Sequence, residues 1–268
     1  MTRGIKERGI LFTPENYGKS ERGEKTQTRR IITGKALKMI EDFSGDPVDP
    51  SPLKFEYVTN CDRIDDDGKH TYQYTGLLMS LEEYPEEGFV ELPCPFGTVG
   101  DRFYVKESFT YWEDNYEWKP SKGKRWDDLT PKEQAEIIQR SDHMGHDYLV
   151  YKRDGVKRSL AEWPSPHPIY EHCIEKFDKT VSPIFMPKWA ARLWLEITDV
   201  RVERLQDCSS EDAVAEGAAD WPGECILREK RLTSVQIQYA MLWESIHGPG
   251  SWERNPWVWV LSYKKVKP

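Results

Sequence analysis

The sequence predicts an α+β fold: a small, curved mixed β-barrel with flanking helices and two insertions. Three observations predict it. Apolar Leu193, Leu195 and Ile197 alternate, and the alternation slips at Asp199 to resume on Val200 and Val202. A period of two marks a strand with one buried face, and a one-residue slip marks a bulge that bends it. Phe103, Val105, Glu107 and Phe109 alternate in the same way. Between such strands lie short helices with cap residues at their starts and glycines at their ends.

From the N-terminus, Gly9–Thr13 reads as a short apolar strand. Thr13-Pro14 follows as an N-cap with proline at the first helical position. That helix is expected to run to Arg22 and stop at Gly23. Residues 42–92 show no sustained period and hold Pro47, Pro50, Pro52 and the turn Asp65-Asp66-Asp67-Gly68, with Tyr72 and Tyr74 in a hairpin strand. They read as an insertion decorating the core. Cys94–Asp101 is a turn cluster before the strand 102–109. Glu107 there is a carboxylate on the apolar side, either paired with an arginine or accepting from a ligand. Residues 113–182 read as the second insertion, with a capped helix from Thr130-Pro131 to about Arg140. His143, His146, His167, His172 and Cys173 lie within it; they read as loop residues, and no metal or cofactor is expected.

Beyond Leu193–Leu205, Ser209 caps a short helix that Gly217 closes, with Glu216 on its last turn. Thr233-Ser234-Val235-Gln236 opens another, whose Val235, Tyr239, Leu242 and Ile246 share a face. Gly248-Pro249-Gly250 ends it, and Trp257–Tyr263 is the final strand. The chain has 268 residues and forms one domain in this reading, with a core at about 8–40, 93–112 and 184–268.

The formal net charge is -8, which argues against non-specific duplex binding. The first 40 residues are nevertheless basic, and the surplus acid follows them. That distribution suits a small or single-stranded anionic ligand. Five scattered cysteines without a C-x-x-C pair make neither a zinc ribbon nor a disulfide framework. With no long apolar run, a cytoplasmic protein off the membrane is expected. Eleven Trp offer stacking surfaces, Trp112, Trp189 and Trp257 among them, although core packing is the ordinary role.

The densest chemistry lies in Gly23-Glu24-Lys25-Thr26-Gln27-Thr28-Arg29-Arg30. Arginine forks hold phosphate or carboxylate, threonine hydroxyls donate or attack, and a lysine loses its proton when desolvated. On composition alone the stretch is a solvated basic turn.

Five segments in order resemble a known family: Gly-x-Lys-Thr-x-Thr-Arg-Arg (23–30); Cys-Pro-Phe-Gly-x-x-Gly-Asp-Arg with Val-Lys-Glu-Ser (94–108); Met-Pro-x-Trp-Ala-x-Arg (186–192); Glu-Asp-Ala-x-Ala-Glu-Gly (211–217); and Asn-Pro-Trp-Val-Trp-Val (255–260). Together they resemble the ASCH-domain proteins of bacteriophages and prophages. Those proteins have a PUA-like fold that binds RNA or modified nucleobases. One branch of the family is an amidohydrolase that removes the acetyl group of N4-acetylcytidine with a Lys, a Thr and a Glu. The resemblance implies catalytic Lys25, Thr28 and Glu216, with Thr26, Arg29, Arg30, Glu107 and Arg192 binding substrate. Glu24 stands where that branch has arginine.

The chemistry implied is hydrolysis of an N4-acyl cytosine: Thr28 as nucleophile, Lys25 as base, Glu216 as acid or orienter. The implied partners are single-stranded RNA, a nucleoside or a modified base. Two alternatives stand beside it. One is a non-catalytic RNA or modified-base binding module. The other is a phage accessory protein with a protein partner on its insertions.

Overall fold

The computed structural model describes residues 4–44, 53–64, 71–82, 88–112, 148–159, 180–218 and 234–268. In chain order these form β1 (Glu7–Leu11), α1 (Pro14–Arg22), β2 (Gln27–Ile31), α2 (Gly34–Ser44), β3 (Leu53–Ile64), β4 (Thr71–Leu81), β5 (Val90–Leu92) and β6 (Arg102–Lys106). Then come β7 (Phe109–Trp112), β8 (Tyr148–Tyr151), β9 (Lys157–Ser159), β10 (Thr180–Val181), β11 (Trp194–Arg204), α3 (Ser210–Ala215), α4 (Ser234–His247) and β12 (Trp257–Val266). The fold is α+β, and the chain divides into one unit of residues 1–105 and 192–268 and a second of residues 106–191. No helix among the described residues is long and apolar enough to cross a membrane.

The first unit is built on a five-stranded sheet ordered β1-β6-β11-β12-β2. β11 is antiparallel to both β6 and β12, and β12 to β2. The register of β11 on β12 shifts between Ile197 and Asp199, where the apolar alternation slips in the sequence. The bulge lets one strand keep its apolar residues on one side: Leu193, Leu195, Ile197, Val200 and Val202 all enter the same core. The sheet does not close into the expected barrel among the described residues. β1 and β2 remain its edges. A side chain, not a ladder, bridges them: Arg30 donates from a terminal nitrogen to the Leu11 carbonyl at 2.7 Å.

Each face of the sheet has its own core. On one, Phe103, Val105, Trp259 and Leu261 pack with Tyr17 of α1, Ile40 of α2, and Leu77, Met79 and Leu92. The last three come from a separate antiparallel sheet, β3-β4-β5. The segment 53–92 is therefore not surface decoration: its β4 carries five consecutive buried residues, Gly76–Ser80, and feeds the core directly. Pro47, Pro50, Pro52 and the Asp65–Asp67 turn lie outside the described residues. On the other face, Val258 and Val260 pack with Ala213 of α3 and with Tyr239, Ala240, Leu242 and Trp243 of α4. Ile246 does not join that face and is 47% exposed.

The helix caps follow the sequence closely. Thr13 accepts from the Asn16 backbone N–H, and Gly23 ends α1 at φ 78°. Ser209 accepts from the Asp212 N–H at the start of α3. The Cys94–Asp101 turn is held by one carboxylate: Asp101 accepts from the backbone N–H groups of Lys6 and Thr98 and from Arg8.

The second unit contains the four-stranded sheet β10-β7-β8-β9. The expected strand 102–109 is broken at Glu107-Ser108 into β6 and β7. The helix expected at 131–140 and the histidines at 143, 146, 167 and 172 lie outside the described residues.

Candidate active site

The stretch 23–30 is not a solvated turn. After Gly23 the chain enters β2, and Lys25, Gln27, Thr28 and Arg29 are all buried. Burial of so many polar groups needs partners, and two chain-distant elements supply them. The backbone is fixed first: Thr26 donates to the Ala215 carbonyl and accepts from the Tyr263 N–H, both at 2.8 Å. This sets the start of β2 against the end of α3.

Lys25 then meets Glu216. Its Nζ donates to Glu216 Oε2 at 2.6 Å and to the Glu216 carbonyl at 2.9 Å. Lys19 Nζ donates to the next carbonyl, Gly217, at 2.7 Å. Two ammonium groups thus cap the unpaired carbonyl end of α3, where cations are favoured. Gly217 permits this. Its φ is 80°, and a Cβ there would lie 3.0 Å from Lys19 Cδ and 3.4 Å from Lys25 Cβ.

Arg29 is the hub. A guanidinium has five N–H donors. Here Nε donates to Glu203 at 3.0 Å. One terminal nitrogen reaches Glu203 and Asp212, and the other reaches Gln27 Oε1 at 2.7 Å and Glu216 Oε1 at 3.2 Å. All five donors are used, and the side chain is fully sealed from solvent. The ring of Tyr239 lies 5.6 Å from its guanidinium carbon. Asp212 is also held by Gln27 Nε2 and Arg201, each at 3.0 Å. Glu203, Asp212 and Tyr239 were not assigned to the site by sequence. Asp212 sits one turn before Glu216 on α3, a spacing of four that could have paired the two. Glu203 is polar on an otherwise alternating strand and gave no such signal.

The charges respond to this setting. Burial pulls the Lys25 ammonium below its ordinary pKa, and although Glu216 opposes this, Arg30 and Arg29 add to it. Burial also pulls Arg29 down, but Glu216, Tyr239 and neighbouring anionic groups outweigh it and hold the guanidinium above its usual range. Burial lowers Arg30. Burial, and then Glu216, raise the Tyr239 phenol well above the usual value.

The other predicted residues fall elsewhere. Thr28 is opposite Leu261 in the ladder and Arg29 is opposite Val260. Strand alternation therefore sends Gln27 and Arg29 to the α3–α4 face and Thr28 and Arg30 to the other. The Thr28 hydroxyl makes no hydrogen bond to Lys25 or Glu216. Thr26 is exposed, and Arg192 is half-buried two residues before β11. Glu107 belongs to the second unit. It is buried there, with Arg153 Nε 3.9 Å from its carboxylate and the Met186 sulfur accepting from its N–H. Glu24 is exposed and paired with Arg22. Trp257 packs edge-on to Phe55 and lies under Arg204 at 4.2 Å, a structural role. Among the described residues no group of three or more His, Cys, Asp or Glu side chains is arranged to hold a metal ion.

No protein-family profile, curated protein or solved structure matches this chain.

Proposed function

We propose that the chain recognises a nucleic-acid base or nucleoside with an ASCH-type, PUA-like domain and hydrolyses the N4-acyl amide of a modified cytosine. The observation that carries the proposal is the contact between Lys25 and Glu216. These residues are 191 positions apart and meet at 2.6 Å in a buried site. They are two of the three residues that the sequence resemblance assigns to amide cleavage.

In this reading Glu216 holds the Lys25 amine, and burial lowers the cost of its neutral form. The Thr28 oxygen attacks the acyl carbonyl carbon and its proton passes to Lys25. The C–N bond breaks, the cytosine amine leaves with that proton, and water cleaves the acyl-threonine ester to the free acid. To reach that amine the Thr28 hydroxyl must leave the opposite face of β2, which requires releasing part of the β2–β12 ladder. Arg29 has no donor to spare for substrate; it positions Glu216.

A second reading is a binding module of the same kind without turnover. It is favoured by the strand alternation that turns Thr28 away from the Lys25–Glu216 pair. The test is release of acetate from N4-acetylcytidine, free and within a single-stranded oligonucleotide. The hydrolase reading expects turnover by the wild type and a loss of about 10²-fold or more in Thr28→Ala with folding intact. Base binding by a wild type that releases no acetate selects the module.

A further inference from the structure

Arg29 and Arg30 are adjacent and have opposite fates. All five N–H donors of Arg29 are used. The Arg30 side chain has a single hydrogen bond among the described residues, to the Leu11 carbonyl, and its Nε is buried without a hydrogen-bond partner there. No carboxylate among the described residues lies within ion-pair distance of it. The anion whose field it feels most, Glu216, is already bound by Lys25 and Arg29. The guanidinium instead lies over the Phe12 ring, 5.7 Å from its centroid. That ring is 6.1 Å from the Tyr263 ring.

Buried or half-buried cations are normally paired, because removing them from water uncompensated is costly. A planar fork with unspent donors, steadied on an aromatic face, matches a phosphate oxygen in geometry and charge. Thr28 leaves β2 on the same face two residues earlier, about 6.6 Å away along the strand. Thr28 itself is buried.

We infer that the Thr28–Arg30 face of β2 is an anion subsite in which Arg30 takes a phosphate group of the ligand. The inference rests on the base-recognition reading and narrows it: the ligand is a phosphorylated nucleotide or a chain phosphodiester, not a neutral nucleoside. Arg29, despite its place in the same motif, takes no part in holding phosphate.

The test is titration calorimetry of the full chain at low salt with cytidine, cytidine 5′-monophosphate and inorganic phosphate. The expected result is binding of the monophosphate about tenfold or more tighter than cytidine. Arg30→Gln should abolish that margin, and Arg30→Lys should restore part of it. Inorganic phosphate should compete with the monophosphate on the wild type, a measurement that stands if Arg30→Gln does not fold. A dinucleotide with only an internal phosphate separates the sources. Equal affinity for it points to a nucleic-acid strand, and weaker affinity points to a free nucleotide. Equal binding of cytidine and its monophosphate by the wild type overturns the subsite, as does a margin that survives Arg30→Gln. Because binding is read without turnover, a protein that shows the margin but releases no acetate sinks the hydrolase and keeps the subsite. The reverse result sinks the subsite alone.

Discussion

Lys25 Nζ lies 2.6 Å from Glu216 Oε2, and the other carboxylate oxygen of Glu216 lies 3.2 Å from Arg29. One buried carboxylate therefore touches two buried cations. Removing it leaves Lys25 with no carboxylate among the described residues and takes one of three from Arg29, which keeps Glu203 and Asp212, whereas removing Lys25 leaves Glu216 on Arg29. Glu216→Ala is expected to cost about 3–5 kcal/mol, the range for breaking a buried pair from one side. Lys25→Met should cost clearly less. Urea denaturation of both variants checks the asymmetry, and equal losses would show that Arg29 does not depend on Glu216.

Gly217 turns the chain at φ 80°, with Lys19 and Lys25 close on either side of its missing Cβ. Alanine there meets left-handed strain of about 1–2 kcal/mol and must also displace the Lys19 stem. Gly217→Ala should lower the melting temperature. It should lower acyl turnover as well, because the displaced stems belong to the residues that hold Glu216 and Gly217. A variant as stable as the wild type would refute the close approach.

Asp101 accepts two backbone N–H groups, from Lys6 and Thr98, at 3.0 and 3.1 Å. Asp101→Ala strands both and should destabilise the first unit by about 1–3 kcal/mol for each stranded group. Asp101→Asn, with one oxygen acceptor kept, should fall between. Thermal melts of the two variants decide it, and binding of the base should be unchanged in whichever remains folded.

Stability at alkaline pH should be governed by buried acids. Burial raises the phenols of Tyr239 and Tyr263, and burial pushes the Cys208 thiol up to about 12. In the unfolded chain a tyrosine releases its proton near pH 10 and a cysteine near 8.5, as order-of-magnitude reference values of about those sizes. Above those pH values the unfolded state binds fewer protons than the native one, so stability is lost as pH rises. Lys25 works in the opposite sense: its folded pKa is lowered, so its contribution grows as pH rises toward the ordinary lysine value. Burial also raises the Cys94 thiol to about 11 and the Tyr74 phenol to about 12, so the raised acids outnumber Lys25 and unfolding free energy should fall between about pH 9 and pH 11. Tyr263→Phe should flatten the slope. Urea melts across that range, with tyrosinate absorbance followed in parallel, measure it.

Local rules made much of this protein legible. Thr13-Pro14 and Gly23 bound α1, Ser209 and Gly217 bound the α3 turn, and the slip at Asp199 is the bulge in β11. Each depends on residues within one turn or one strand, and a sequence displays such neighbours side by side. Lys25 and Glu216 were also singled out, through motif resemblance, and they meet. What the sequence could not display was the company kept by each charge. Arg29 and Arg30 are identical residues in adjacent positions. β12 pairing alone sends one into Glu203, Asp212 and Glu216 and leaves the other over Phe12. The same holds for segment 53–92, which looks like decoration for want of period, yet supplies Leu77, Met79 and Leu92 to the core. Chain order determined where strands bend and helices stop, because those choices are made by adjacent dihedrals and caps. Which polar groups are buried, and against what, was decided only by tertiary pairing, because Lys25 and Arg29 depend on partners 191 and 174 residues away and Arg30 on a separate strand.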